Sequence, residues 1–78
     1  MASLRLFGPA REAAGVGHAE IPGRSVAEVL EAAEVRYGAG FAEVVAISRV
    51  WVNGESATPE ALVADRDEVA VIPPVSGG

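Results

Sequence analysis

The sequence predicts an α+β fold, a mixed five-stranded sheet packed on one main helix, with a flexible C-terminal tail. Three observations predict it. The segment after residue 25 carries a helix cap followed by an apolar helical stripe, several short segments alternate apolar and polar residues, and the last six residues run Pro-Pro-Val-Ser-Gly-Gly. Two units follow: a folded domain over 1–72 and an extended tail over 73–78.

Ser3 to Phe7 alternates, with Leu4 and Leu6 on one face and Arg5 and Phe7 on the other, as in a half-buried strand. Gly8-Pro9 ends it. Ala10 to Ala14 makes a short helical turn, and Ala19 to Ile21 is a second strand closed by Pro22-Gly23. Ser25 followed by Glu28 fits a capping box, in which Ser caps the helix start and Glu reaches back to the Ser backbone N–H. Val26, Val29, Leu30, Ala33 and Tyr37 then share one helix face, Glu31, Glu34 and Arg36 fall on the solvent side, and Gly38 is the stop. Ala39 to Ala46 reads as a connection with one helical turn around Phe41 to Val44. Arg49 to Val52 is a strand, Asn53-Gly54 a two-residue hairpin turn, and Glu55 to Ala57 the return strand. Thr58-Pro59 breaks it, Leu62 is expected to plug the core, and Asp65-Arg66-Asp67 turns the chain into the last strand, Glu68 to Ile72.

Strand, strand, helix, strand, strand, strand describes a β-grasp arrangement. A ferredoxin-like sheet needs a second long helix, and Ala57 to Asp65 is too short and is interrupted by Pro59. In the grasp topology the first and last strands are neighbours, with the hairpin strand beside the last. Parity then turns Val69 and Val71 inward, Ala70 and Ile72 outward, and Trp51 away from the face of Val50 and Val52. Phe7, Ile72 and Trp51 would form an exposed apolar stripe of the kind that marks an interface. The alternative puts Trp51 under a loop and Phe7 over a minor core.

Composition excludes several function classes. At 78 residues the chain is one domain near the lower limit for a single hydrophobic core, and it has no cysteine. The net charge of -5, with all six basic residues arginines spread from Arg5 to Arg66, argues against nucleic acid. Without lysine, the chain has no side-chain amine for an isopeptide bond or a Schiff base. No apolar run approaches the roughly 20 residues that span a bilayer, and MASLRLFGPAR does not have the layout of a signal peptide. A soluble, cytoplasmic protein without membrane association is expected. His18 is the only histidine, so two-histidine metal sites and cysteine–histidine pairs are excluded, and nothing in the sequence gathers Ser, His and Asp. Gly15-Val16-Gly17 lacks the third glycine and the following helix of a phosphate loop.

The tail is where chemistry remains. Pro73 and Pro74 stiffen its exit from the sheet, because each ring fixes φ and biases the residue before it. Six residues reach about 20 Å at roughly 3.3 Å each, far enough to enter another protein's active site. Gly77 and Gly78 have no side chains and can pass a narrow channel, with Val75 and Ser76 behind them. A terminal carboxylate is a poor electrophile until activated, for example as an acyl-adenylate, after which a sulfur donor can convert it to a thiocarboxylate. A frayed end is the alternative reading of the same residues.

LRLFGPAREAAG near the start, VWVNGE in the middle and DEVAVIPPVSGG at the end resemble the three hallmark segments of the molybdopterin synthase small subunit, in the same order and spacing. That family lies in the MoaD/ThiS group of ubiquitin-like sulfur carriers, and the similarity covers essentially the whole chain. Thiamin-pathway relatives share the Gly-Gly end and the VNGE-type hairpin but usually lack the FGPARE segment, so Phe7 to Glu12 favours molybdopterin. The resemblance implies a ubiquitin-like β-grasp fold and a chain without a complete active site of its own. It implies that an E1-like adenylyltransferase, using ATP and Mg²⁺, adenylates Gly78, that a sulfurtransferase system leaves a thiocarboxylate there, and that the large synthase subunit receives the tail. The sulfur then converts cyclic pyranopterin monophosphate to molybdopterin, with no cofactor bound to this chain. Phe7, Arg11 and Ile72 match positions expected at the partner surface, together with Pro73 to Ser76 of the tail, and Gly77 lets the tail thread. Two positions depart from the pattern: Arg66 stands where glycine is common, and Ile72 where an aromatic is frequent. Carriers for thiamin, tRNA thiolation or cysteine synthesis, ubiquitin-like modifiers and a plain binding module are the alternatives.

Overall fold

The first and last strands lie side by side at the centre of the sheet. In the computed structural model, which describes residues 1–74, β1 (Ala2–Leu6) pairs antiparallel with β2 (His18–Ile21) and parallel with β5 (Glu68–Ile72). On its other side β5 pairs antiparallel with β3 (Arg49–Val52), which pairs in turn with β4 (Glu55–Ser56). The order β2-β1-β5-β3-β4 is the ubiquitin-like β-grasp sheet. A parallel β1–β5 pair needs a long crossover, and the chain between them supplies the helices that cover one face.

The main helix, α2 (Val26–Tyr37), begins where the sequence places it. Ser25 Oγ accepts the Glu28 N–H at 3.2 Å. The Glu28 carboxylate accepts from Arg24 N–H at 2.9 Å, not from Ser25 N–H, so the reciprocal bond lies one residue earlier than the capping box predicts. Val26, Val29, Leu30 and Ala33 are buried against Leu4, Leu6, Ile21, Val69 and Val71, the two apolar periods meeting in one core. The turn residues Asn53 and Gly54 have φ of 51° and 83°, as a two-residue hairpin requires.

Three expectations are corrected. Ala39 to Ala46 is not a connection with a single turn but an eight-residue helix, α3 (Ala39–Ala46). The segment lacks a side-chain cap, and its structure comes from packing against α2 and α1 (Gly8–Ala14). Phe41 is fully buried and meets Tyr37 edge-on at 5.3 Å, and two shorter helices, α1 and α3, accompany the one main helix. Leu62 does not plug the core: it is 82% exposed, and Val63 is buried in its place. Residues 61–63 run antiparallel to 24–26, with Val26 N–H bonded to Ala61 O and Val63 N–H to Arg24 O. Neighbours in such an extended segment face opposite ways. Arg66 costs no left-handed strain, because Asn53 is the only non-glycine residue with positive φ among those described. Last, the return strand stops at Ser56, although Ala57 N–H still bonds to Val50 O.

Candidate functional site

Helices cover one face of the sheet and leave the other open. Along β1 the buried Ala2, Leu4 and Leu6 alternate with Ser3 and the exposed Arg5, and along β5 the buried Val69 and Val71 alternate with Glu68, Ala70 and Ile72. The register aligns Arg5 with Ala70, Ala70 with Trp51, and Trp51 with Ser56 in one row across the open face. Leu6 pairs with Val71, and Phe7 and Ile72 are the next residues of the two chains. Ile72 in turn lies opposite Arg49.

The structure places Phe7 and Ile72 at this end of the open face, 44% and 39% exposed. Phe7 keeps extended geometry, φ -130° and ψ 151°, and its carbonyl accepts the N–H groups of Ala10 at 3.1 Å and Arg11 at 3.4 Å. It therefore ends the strand and starts α1 at once, which holds its side chain outside the core. Trp51 is half-buried, opposite Ala70 and diagonal to Ile72. Arg11, one helical turn after Phe7, is exposed and lies over the loop, its Nε 3.2 Å from the position a Cβ on Gly17 would take. Pro73 is buried and Pro74 exposed, so the chain leaves the sheet directly beside Ile72. Val75, Ser76, Gly77 and Gly78 lie outside the described residues.

The far end of the same face is polar. Arg5 Nε pairs with Glu68 Oε2 at 3.0 Å, and Ser3 Oγ lies 2.6 Å from His18 Nε2. The sequence reading did not bring Ser3 and His18 together; the β1–β2 register, with Ser3 opposite Glu20 and Arg5 opposite His18, does so. The pair is not set up for hydrolysis, since Glu20 Oε2 approaches the same Nε2 at 3.5 Å, whereas a catalytic triad uses both ring nitrogens. Among the described residues no cluster of His, Cys, Asp and Glu could hold a metal, and no helix is long and apolar enough to cross a membrane. A recess of about 410 Å³ between α2, α3 and β3 is lined by Val26, Leu30, Val45, Arg49 and Val50. Its lining holds no carboxylate, histidine or cysteine, so it offers no acid–base pair.

The end of the sheet where the chain leaves β5 exposes the apolar Phe7 and Ile72, and exposed apolar groups of this kind commonly mark a protein interface. The model of the ThiS family matches residues 4–78. Among solved structures, small archaeal modifier protein 1 (SAMP1) of Haloferax volcanii is 30% identical, with 99% of this chain and 98% of that chain covered and a TM-score of 0.82. A structure of the Amycolatopsis orientalis BexX/CysO complex matches at 26% identity, full coverage of both chains and a TM-score of 0.85. A candidate molybdopterin converting factor subunit 1 of Pyrococcus furiosus is 29% identical over 95% of this chain and 97% of that one, with a TM-score of 0.79. No curated protein gives a significant match. The family match runs over nearly the whole chain, and SAMP1 of Haloferax volcanii shares the fold at 30% identity, so the chain belongs to the ThiS family of ubiquitin-like sulfur carriers.

Proposed function

We propose that this chain carries sulfur as a thiocarboxylate on Gly78 and, as the small subunit of a molybdopterin synthase, delivers it to cyclic pyranopterin monophosphate. The observation that carries the reading is the exposed Phe7–Ile72 pair at the root of the tail, with α1, formed from the FGPARE segment, folded beside it. The pair gives a large synthase subunit an apolar anchor, and the tail behind Pro74 reaches into that subunit's active site. The chain has no cysteine for a persulfide, so its carboxyl terminus is the group left to hold sulfur. An E1-like adenylyltransferase with ATP and Mg²⁺ activates the Gly78 carboxylate, releasing pyrophosphate. Sulfur at the sulfide level, supplied by a sulfurtransferase system whose persulfide is reduced by a second thiol, then displaces AMP and leaves the thiocarboxylate. Gly77 keeps the end narrow, Arg11 and the tail residues Pro73 to Ser76 contact the partner, and the cytoplasm is the expected site of the cycle.

A second reading keeps the tail chemistry and changes the recipient. SAMP1 of Haloferax volcanii is 30% identical, the molybdopterin converting factor subunit of Pyrococcus furiosus 29%, and the CysO complex matches at 26%. A carrier for thiamin, tRNA thiolation or cysteine synthesis, or a protein modifier, fits the same fold.

Intact-mass measurement on protein made in a cell with the pathway should show a fraction with one terminal oxygen replaced by sulfur. Deleting Gly78 should abolish it; sulfur transfer that survives the deletion would sink the carrier reading. Mixing the thiocarboxylate form with a large synthase subunit and cyclic pyranopterin monophosphate should yield molybdopterin. Failure there, with turnover by a thiazole- or cysteine-forming enzyme or with lysine-linked conjugates, selects the second reading.

A further inference from the structure

Arg49 flanks Ile72 on the side away from Phe7. It is the residue directly opposite Ile72 in the β3–β5 pair, and residues directly opposite share a face with Cβ atoms about 5 Å apart. The adjacent pair, Val50 and buried Val71, faces the core, so Arg49 and Ile72 both face outward. Bonding from the β4 segment reaches only Val50, through Ala57 N–H, and leaves no strand beside Arg49 on that side.

Its charge is not used within the described fold. Arg5, the other strand arginine of the open face, is paired with Glu68, whereas none of the ion pairs among the described residues involves Arg49. The chain has eleven side-chain carboxylates and a net charge of -5, yet none of the described ones is set against this guanidinium. Arg49 is therefore a cation beside Ile72 with no ion-pair partner among the described residues.

We infer that Arg49 is a docking residue that pairs with a carboxylate on the partner protein, next to the apolar socket receiving Phe7 and Ile72. This rests on the proposed docking of that face. Complementarity commits the partner to a carboxylate beside the socket that receives Ile72. The planar guanidinium suits a two-point bond to a carboxylate, which an ammonium does not reproduce. Closure of the interface around Ile72 removes water from the pair and strengthens it. A partner with a cation at that point is rejected, so Arg49 also discriminates among recipients.

The test measures binding of the full chain to a purified large synthase subunit at low and moderate salt. Arg49→Ala should weaken binding at least about tenfold, Arg49→Glu further, and Arg49→Lys should restore only part of it. The salt dependence of affinity should flatten in Arg49→Ala, while the unfolding midpoint stays at the wild-type value because the side chain is exposed. Phe7→Asp tests the underlying docking separately. Loss of binding in Phe7→Asp, with Arg49→Ala and Arg49→Glu both within twofold of wild type, overturns the role of Arg49 and leaves the interface standing. Undiminished binding of Phe7→Asp removes the interface, and the Arg49 role with it.

Discussion

The side-chain amide of Asn53 donates to Asp67 Oδ1 at 2.9 Å and ties the β3–β4 turn to the start of β5. Asn53 Oδ1 accepts the Glu68 N–H at 2.9 Å, and the Asn53 N–H donates to Glu68 O at the same distance. The second oxygen of Asp67 accepts the Ala64 N–H at 2.8 Å. One asparagine thus supplies the positive φ of a hairpin and, through its side chain, aligns the central strand of the grasp with that hairpin. That alignment sets Arg49 against Ile72 at the other end of the pair.

The first prediction concerns pH. The Ala64 N–H, and then the Asn53 amide, hold the Asp67 carboxyl below its ordinary ionisation range. A depressed folded-state value means the contribution is present above the unfolded value, near pH 4, and is lost as pH falls through the folded one. Asp67→Ala should be less stable than wild type at pH 6 to 7, and the gap in urea midpoint should shrink below about pH 4. A gap constant with pH would show that the carboxylate's charge is not what stabilises the turn.

The second concerns α3. Phe41 is fully buried against Tyr37 and the core, so Phe41→Ala leaves a cavity and should cost about 3–5 kcal/mol by denaturant unfolding. Ile47, just after the helix and 67% exposed, should tolerate Ala within about 0.5 kcal/mol. Equal effects would contradict the burial of Phe41.

The third separates two adjacent residues. Val63→Ala should destabilise by about 2 kcal/mol, from lost burial and the small cavity. Leu62→Ser should stay within about 0.5 kcal/mol. The reverse ranking would mean that the 61–63 segment is turned over in solution.

The fourth is set by backbone contact. A Cβ on Gly23 would lie 2.7 Å from the Val29 backbone nitrogen, and Gly23 has φ of 151°. Gly23→Ala should therefore cost more than about 1 kcal/mol, read as a lowered thermal midpoint. Gly40→Ala is the control: its Cβ would meet nothing within 4 Å and its φ is not in the left-handed range, so the midpoint should not fall.

Much of the scaffold was legible because it is encoded locally. Ser25, Glu28 and the Val26–Val29–Leu30–Ala33 stripe specify α2 through contacts three and four residues apart. Asn53-Gly54 specifies its turn through two φ values, and strand parity alone turned Phe7 and Ile72 away from the faces of Leu6 and Val71. The helix of Ala39 to Ala46 is not legible in the sequence for the complementary reason. It has no cap and only a short apolar run, so its helix depends on neighbours distant in sequence. Leu62 and Val63 are equally apolar in sequence, and only the bridge to residues 24–26 decides which one turns inward.

The sequence by itself determined the grasp order of elements and the absence of cysteine and lysine. Those are properties of composition and short-range pattern. Only the tertiary structure decided that Arg49 faces Ile72 while Arg5 is neutralised by Glu68, and that α3 buries Phe41. These relationships join residues separated by long stretches of chain, and long-range pairing is set by the register of the whole sheet rather than by any local preference.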